Sequence, residues 1–142
     1  MGFVNEISTP EDNEKYRLHE VRRKYSIYRQ DRHGMSVDRE RGIVLIKTYS
    51  GSPRTDDVGK HHFALIVGDE DFGFTMHCEN IRLDNNRRVY NWDLLKIDNQ
   101  PNSANREAFL IELLKEALTV YGYQGPQRFN EHVPQFSVHF NF

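Results

Sequence analysis

Residues 60–79 carry an alternation of apolar and polar positions that predicts a β-hairpin. The apolar positions recur at every second residue on each side of a polar turn at 68–71, as expected for strands with one buried face. These positions are Phe63, Leu65 and Val67, then Phe72, Phe74, Met76 and Cys78. A four-residue turn would pair Leu65 with Phe74 on the buried face. A one-residue slip would mix the faces, so the pattern disfavours it.

Other stretches predict further strands. Residues 43–46 (Ile-Val-Leu-Ile) are apolar at every position, which is typical of a strand buried on both faces. Apolar residues alternate again from Tyr90 to Leu94, after a turn signal at 84–87. The alternation changes parity near Glu79 and Asn80, which indicates a β-bulge or a strand end. The polar segment 50–59 is the best candidate for a binding loop.

Two helices are predicted, one before these strands in the sequence and one after them. Thr9-Pro10 favours a capped helix from Pro10 to about Lys24, although 25–28 suits a strand, so helix or strand stays open for residues 10–30. The clearest helix runs over 103–121, with Ser103 as its cap. Its broad apolar stripe comprises Phe109, Leu110, Leu113, Leu114, Ala117, Leu118 and Tyr121.

The last seven residues alternate completely, with Phe136, Val138, Phe140 and Phe142 on one face, and predict a final strand at the C-terminus. We therefore predict an α+β fold in which an antiparallel β-sheet is packed on one face by the long helix of the C-terminal half. The other sheet face is expected to be wet or to form half of an interface. No linker or repeat divides residues 1–142, so a single domain is expected.

Composition narrows the classes of function. The net charge of −2 over 142 residues argues against wholesale attraction to nucleic acids or membranes. One cysteine excludes an intramolecular disulfide, and the chain start lacks signal-peptide features, so a cytoplasmic protein is predicted. Charge is nevertheless uneven. Residues 1–14 carry four acids and no base, whereas 15–41 carry nine bases against four acids.

The polar face of the predicted hairpin suggests a metal site. The four-residue turn would set His62 opposite His77 and Lys60 opposite Glu79, and His139 could join them. Two imidazoles and a carboxylate are a known ligand set for zinc or non-haem iron. The competing interpretation is a solvated polar face with no cofactor, on which Lys60 and Glu79 form an ion pair.

A nucleophilic site and an acidic cation site are weaker hypotheses. The same hairpin would oppose His61 and Cys78, a pair that can activate a thiolate, but no orienting third group or oxyanion site accompanies it. Residues 69–71 (Asp-Glu-Asp) lack the twelve-residue spacing of a calcium loop. A solvated hairpin tip is the simpler interpretation of that turn.

The basic segment 15–41 supports a nucleic-acid hypothesis, because arginine and lysine bind phosphates and interleaved tyrosines stack on bases. Ion pairing with the acidic remainder explains the same composition. The candidate residues are Arg17, Arg22, Arg23, Lys24, Tyr25, Tyr28, Arg29 and Arg32.

The leading hypothesis is a small cytoplasmic, non-enzymatic interaction protein of the adaptor, inhibitor or immunity type, from a bacterium or virus. Its 17 aromatic residues and its arginines are types enriched at protein interfaces, so a protein partner or self-association into a homo-oligomer is expected. Nucleic-acid binding through 15–41 is the alternative. A metal-dependent enzyme with a His/His/Glu site on the open sheet face is the second alternative.

Overall fold

The computed structural model describes residues 2–25, 34–50, 59–84, 87–99, 101–120 and 127–129. Within these ranges, seven strands form one sheet in chain order, β1 to β6 antiparallel and β7 parallel to β6. The α+β class and the antiparallel sheet are confirmed. The elements are β1 (Val4–Ile7), α1 (Pro10–Lys15), α2 (Leu18–Tyr25), β2 (Gly34–Asp38), β3 (Ile43–Ser50), β4 (Gly59–Val67), β5 (Glu70–Asp84), β6 (Arg87–Asp98), α3 (Ala104–Val120) and β7 (Gln127–Phe129).

Helices cover both faces of the sheet. On the face we call the α3 face, α3 side chains such as Leu113 and Ala117 share a core with Phe63 and Trp92. On the opposite α2 face, side chains of the N-terminal helices pack on β2 to β4. That second cluster comprises Tyr16, Leu18, Val21, Met35, Val37, Val44, Ile46, Ala64 and Ile66. The expectation that this second face is wet or an interface is therefore wrong over β2 to β4.

Strand β3 confirms the two-sided apolar pattern of residues 43–46. Ile43 and Leu45 are buried in the α3 face, whereas Val44 and Ile46 are buried in the α2 face. A strand in the middle of a sheet that is covered on both sides buries every side chain, whatever its parity.

The hairpin of β4 and β5 has the predicted faces but not the predicted register. Leu65 pairs with Phe72, and Val67 pairs with Glu70, so the turn contains only Gly68 and Asp69. The pairing is shifted by two residues, and an even shift leaves each side chain on its face. Gly68 has a φ of +62°, as glycine-led two-residue hairpin turns require.

The N-terminal helix is interrupted where one continuous helix is predicted. Arg17, between α1 and α2, has a φ of 57°, which ends the first helix and redirects the chain. The cap at Thr9 and the proline at the first helical position are as predicted. Tyr25 is the last residue of α2 rather than the start of a strand. Residues 26–33 lie outside the described part of the chain.

The C-terminal half follows the prediction where it is described. Ser103 caps α3, accepting a hydrogen bond from the Arg106 amide at its Oγ over 3.1 Å. Phe109 is 44% exposed rather than part of the buried stripe. The strand register shifts between Cys78 and Asn80, where a bulge is predicted. The loop residues 51–58, Tyr121 and the predicted final strand at 136–142 lie outside the described residues.

Candidate functional site

Strand β1 lies at one end of the described sheet, and its outer edge is open with respect to the residues that the structure describes. It pairs with β2 from Val4↔Val37 to Ile7↔Gly34, and no other described strand pairs with it. In an antiparallel pair, alternate residues direct their N–H and C=O groups away from the neighbour. An edge strand therefore presents backbone donors and acceptors that can pair with another chain.

Two apolar side chains flank this backbone edge. Val4 is 48% exposed and Ile7 is 71% exposed, the largest value among the exposed large apolar residues of the described chain. Because Val4 pairs with Val37 of the α2 face, and side chains alternate, Ile7 lies on the α3 face. Natural edge strands are usually protected by lysine, proline or inward-pointing charge. In β1 the one charged residue is Glu6, and it is held in an ion pair.

Arg39 connects β1 to the rest of the fold through contacts that we call the Arg39 clamp. Its guanidinium donates to Glu6 Oε1 over 2.7 Å and to Asp12 Oδ1 over 2.8 Å. Asp12 in turn accepts the Thr9 amide, and Thr9 Oγ1 accepts the Asp12 amide, which completes a capping box at the start of α1. The clamp therefore fixes the edge strand against α1 and the turn after β2, so the edge is preformed.

The clamp also sets the ionisation of Asp12. The hydrogen bonds from Arg39 lower the pKa of Asp12 from 3.8 to about 2, against the opposing effect of burial. The pKa of Arg39 is raised by its bonds to Asp12 and Glu6. Both groups are therefore charged throughout the physiological range.

Acidification is expected to remove the contribution of Asp12 to stability. The folded-state pKa is depressed, so the contribution is complete above the unfolded value near 3.8 and is lost as the pH falls to about 2. Since the Arg39 side chain is 43% exposed, we expect roughly 1 kcal/mol after solvent screening. Denaturant unfolding of the wild type and of Asp12→Asn, from above pH 3.8 down to about pH 2, measures the contribution of Asp12 to stability. A difference between the two proteins that stays constant with pH would contradict the assignment.

A second ionic cluster, around Asp71, joins the α1–α2 junction and the end of α2 to β5. This carboxylate is buried and accepts hydrogen bonds from Tyr25 Oη at 2.6 Å, Lys24 Nζ at 2.9 Å and Arg17 at 3.4 Å. Burial raises the pKa of Asp71, but the bonds from Tyr25 and Lys24 outweigh it and leave the pKa below its ordinary value. The expectation of a solvated tip is wrong for Asp71, because the shorter turn places it inside β5.

The Asp71 cluster borders a shallow cavity of about 320 Å³. The cavity is lined by Lys24, Asp69, Glu70, Asp71, Phe72 and Asn99. The Arg106 guanidinium lies 2.7 Å from Glu70 Oε1, and Lys24 is bound to Asp71. The basic side chains at this rim therefore form ion pairs within the fold. Two of its acidic residues, Asp71 and Glu70, join α2 and α3 respectively to the sheet.

The observed register separates the two histidines of the metal hypothesis. His62 pairs with Thr75, whose Oγ1 lies 3.2 Å from His62 Nδ1, and His77 pairs with Lys60. Burial lowers the pKa of His62, which favours the neutral imidazole. Within the described ranges no three His, Cys, Asp or Glu side chains are grouped closely enough to hold a metal ion. His139 and the side chain of Glu79 lie outside what is described.

His61 does not face Cys78. It pairs with Met76, and Cys78 pairs with Gly59, again a displacement of two residues. The His61 ring is fully buried and meets the Trp92 indole edge-on, with centroids 5.3 Å apart. The pairing on which the nucleophile hypothesis depends is therefore wrong, and His61 packs within the core.

In the described part of the basic segment, most of the candidate residues form contacts within the fold. Arg17 and Lys24 bind Asp71, and Tyr25 donates to the same carboxylate. Arg22 is buried, whereas Arg23 is exposed. Tyr28, Arg29 and Arg32 lie outside the described residues. The ion-pairing interpretation of this segment fits these contacts better than an open phosphate-binding surface.

Comparison with known proteins identifies no relative of this chain. The chain matches no protein-family model, and neither curated proteins nor solved structures give a significant match. None of the helices in the described ranges has the length and apolar character needed to span a membrane.

Proposed function

We propose that this protein is a non-enzymatic interaction protein that binds protein partners along the open edge of β1. The observation that supports the proposal is the combination of an open backbone edge with the exposed Val4 and Ile7 side chains. The proposed location is the cytoplasm, the proposed origin is bacterial or viral, and the proposed role is that of an adaptor, inhibitor or immunity protein.

Strand addition at an edge uses two kinds of interaction. Backbone hydrogen bonds supply affinity, and side chains that alternate between the two faces supply specificity. Val4 and Ile7 lie on opposite faces, so an added strand would cover one of them on each side of the sheet. Complete burial of such a side chain contributes about 1.5–3 kcal/mol. The Arg39 clamp reduces the entropic cost of binding, because the edge is already ordered.

Replacing Ile7 by lysine is expected to weaken partner binding about tenfold or more, because it places a charge where apolar surface must be buried. Lysine also blocks edge pairing in natural sheets. The matched control is Val120→Lys, the same change at an exposed apolar position of α3. Quantitative affinity purification from cells that produce each variant measures the effect. Equal recovery of the same partners by Ile7→Lys and wild type would contradict the proposal.

Fold integrity is checked in the same preparations. Ile7 is 71% exposed and contributes little to the core. The free energy of unfolding of the lysine variant should therefore lie within about 0.5 kcal/mol of the wild-type value. A larger loss would show that the substitution acts through folding rather than binding. In that case Val4→Lys, on the other face of the same strand, provides an independent test.

A further inference from the structure

We infer that β1 is a releasable strap, held on the sheet by charged contacts from the β2–β3 turn and able to open while the rest of the fold stays intact. The burial of the side chains changes abruptly between the two neighbouring strands. All four side chains of β1 are exposed or half-exposed, whereas in β2 every side chain from Met35 to Asp38 is buried. Release of this strap goes beyond the proposed function, which concerns the outer edge of β1.

Two arginines of the turn between β2 and β3 hold the strap. Arg39 donates to Glu6 Oε1 over 2.7 Å and joins it to Asp12 of α1. The Arg41 guanidinium lies 5.5 Å from the ring centroid of Phe3, the residue directly before β1. The side chains of Arg39 and Arg41 are 43% and 42% exposed. Contacts of charged groups that are this exposed contribute little individually and are screened by salt.

The apolar contacts of β1 are few in comparison with those of β2. Of the residues from Phe3 to Ile7, Phe3 alone is buried. Between β2 and β3, by contrast, Val37 and Val44 are paired and both are fully buried in the core of the α2 face. Local opening requires the least free energy where few apolar contacts are buried. The β1–β2 ladder is therefore a weaker seam than the β2–β3 ladder.

Release of the strap changes the surface that the protein presents. In the docked form, which predominates, β1 presents the outer edge on which the proposed function depends. In the released form that edge is withdrawn, and the backbone of β2 loses its pairing with β1 beside Met35 and Val37. A partner on the outer edge of β1 binds only the docked form and therefore stabilises it. The contacts of Arg39 and Arg41 set the balance between the two forms.

Amide hydrogen exchange of the wild-type chain, resolved by residue with NMR, tests whether β1 opens by itself. In an antiparallel sheet the amides of one strand point alternately to its two neighbours. Within β2, amides of one parity are therefore bonded to β1 and those of the other parity to β3. We expect the amides bonded across the β1–β2 ladder to exchange at least about tenfold faster than the β2 amides bonded to β3.

Two substitutions distinguish release of the strap from global unfolding. Ile66→Val changes a buried position of β4, three strands away from β1, so amides of the core should exchange about two- to tenfold faster. The contacts of the strap are unchanged in this variant, so the amides of the β1–β2 ladder should keep their rates. Glu6→Gln removes the charge that Arg39 binds and should speed exchange across the β1–β2 ladder about threefold at low salt. Its matched control is Glu20→Gln, at an exposed acid of α2, which should leave the exchange across this ladder unchanged.

Fast exchange that is confined to the β1–β2 ladder, unchanged in Ile66→Val and accelerated in Glu6→Gln, supports the releasable strap. Equal exchange rates for the two parities of β2 overturn it, as does equal acceleration of the ladder and the core by Ile66→Val. A ladder that Glu6→Gln leaves unchanged also overturns it, because the charged contacts then do not hold β1. The proposed function is tested separately by Ile7→Lys, since a β1 that never opens still presents its outer edge.

Discussion

Replacing Gly73 by alanine is expected to destabilise the protein by about 1–3 kcal/mol, as overpacking of a close contact does. A Cβ at this position would lie 2.7 Å and 2.8 Å from two ring carbons of Tyr25, and 3.3 Å from Asp98 Cβ. The ring cannot swing aside without cost, because its hydroxyl is bound to Asp71 at 2.6 Å. Denaturant unfolding measures the loss.

The sign of this effect makes the test specific. Glycine inside a strand is normally unfavourable, so an unhindered Gly→Ala change should be neutral or stabilising by about 0.5–1 kcal/mol. Gly34→Ala in β2 is the matched control, because a Cβ there meets no atom of the described residues within 4 Å. In a Tyr25→Ala background, which removes the ring, Gly73→Ala should lose most of its penalty. A full penalty in that background would contradict the proposed clash.

The local patterns were sufficient to predict much of this fold. The alternation over 63–76, the two-sided apolar run at 43–46, the bulge near Glu79 and the cap of α3 at Ser103 depend on neighbouring residues alone. Each is set by the local pattern of apolar and polar residues or by a capping preference, and each agrees with the structure. The antiparallel α+β architecture followed from placing these elements in order.

The features that failed depend on contacts between distant parts of the chain. The hairpin register was wrong by two residues because hydrophobic parity cannot distinguish even shifts, whereas the buried contacts of Asp71 with Arg17, Lys24 and Tyr25 can. The metal and nucleophile hypotheses depended on that register, so their pairings failed with it.

The edge strand was missed for a different reason. Residues 4–7 (Val-Asn-Glu-Ile) have no alternation, and they lie within the acidic segment 1–14. An edge strand buries little, so burial imposes no pattern on its sequence. The available signal was Phe3, Val4 and Ile7 directly before the helix cap at Thr9. Only the pairing with β2 shows that these residues extend the sheet.

Replacing Asp71 by alanine is expected to destabilise the protein by about 2–3 kcal/mol, since hydrogen bonds to a charged group contribute about 1.5–3 kcal/mol each and part of the loss is regained on resolvation. The side chain is 9% exposed and joins the α1–α2 junction and the end of α2 to β5. Lys24 is 50% exposed and returns to water at little cost. The half-buried Tyr25 hydroxyl therefore accounts for most of the effect.

The Tyr25 contribution can be isolated by a double-mutant cycle. Asp71→Asn keeps an acceptor for the hydroxyl, so it should cost less than Asp71→Ala, and Tyr25→Phe should cost less in the Asp71→Ala background than in the wild type. Asp69→Ala is the matched control, because Asp69 is an exposed acid of the same hairpin. It should change stability by less than about 0.5 kcal/mol.

The pH dependence of the same variants tests whether the carboxylate acts in its charged form. The pKa of Asp71 is lowered in the folded protein, so its contribution is complete above the ordinary pKa of an aspartate and is lost as the pH falls through the depressed folded value. The stability difference between wild type and Asp71→Ala should therefore shrink on acidification. If the difference stays constant, Asp71 acts by packing alone.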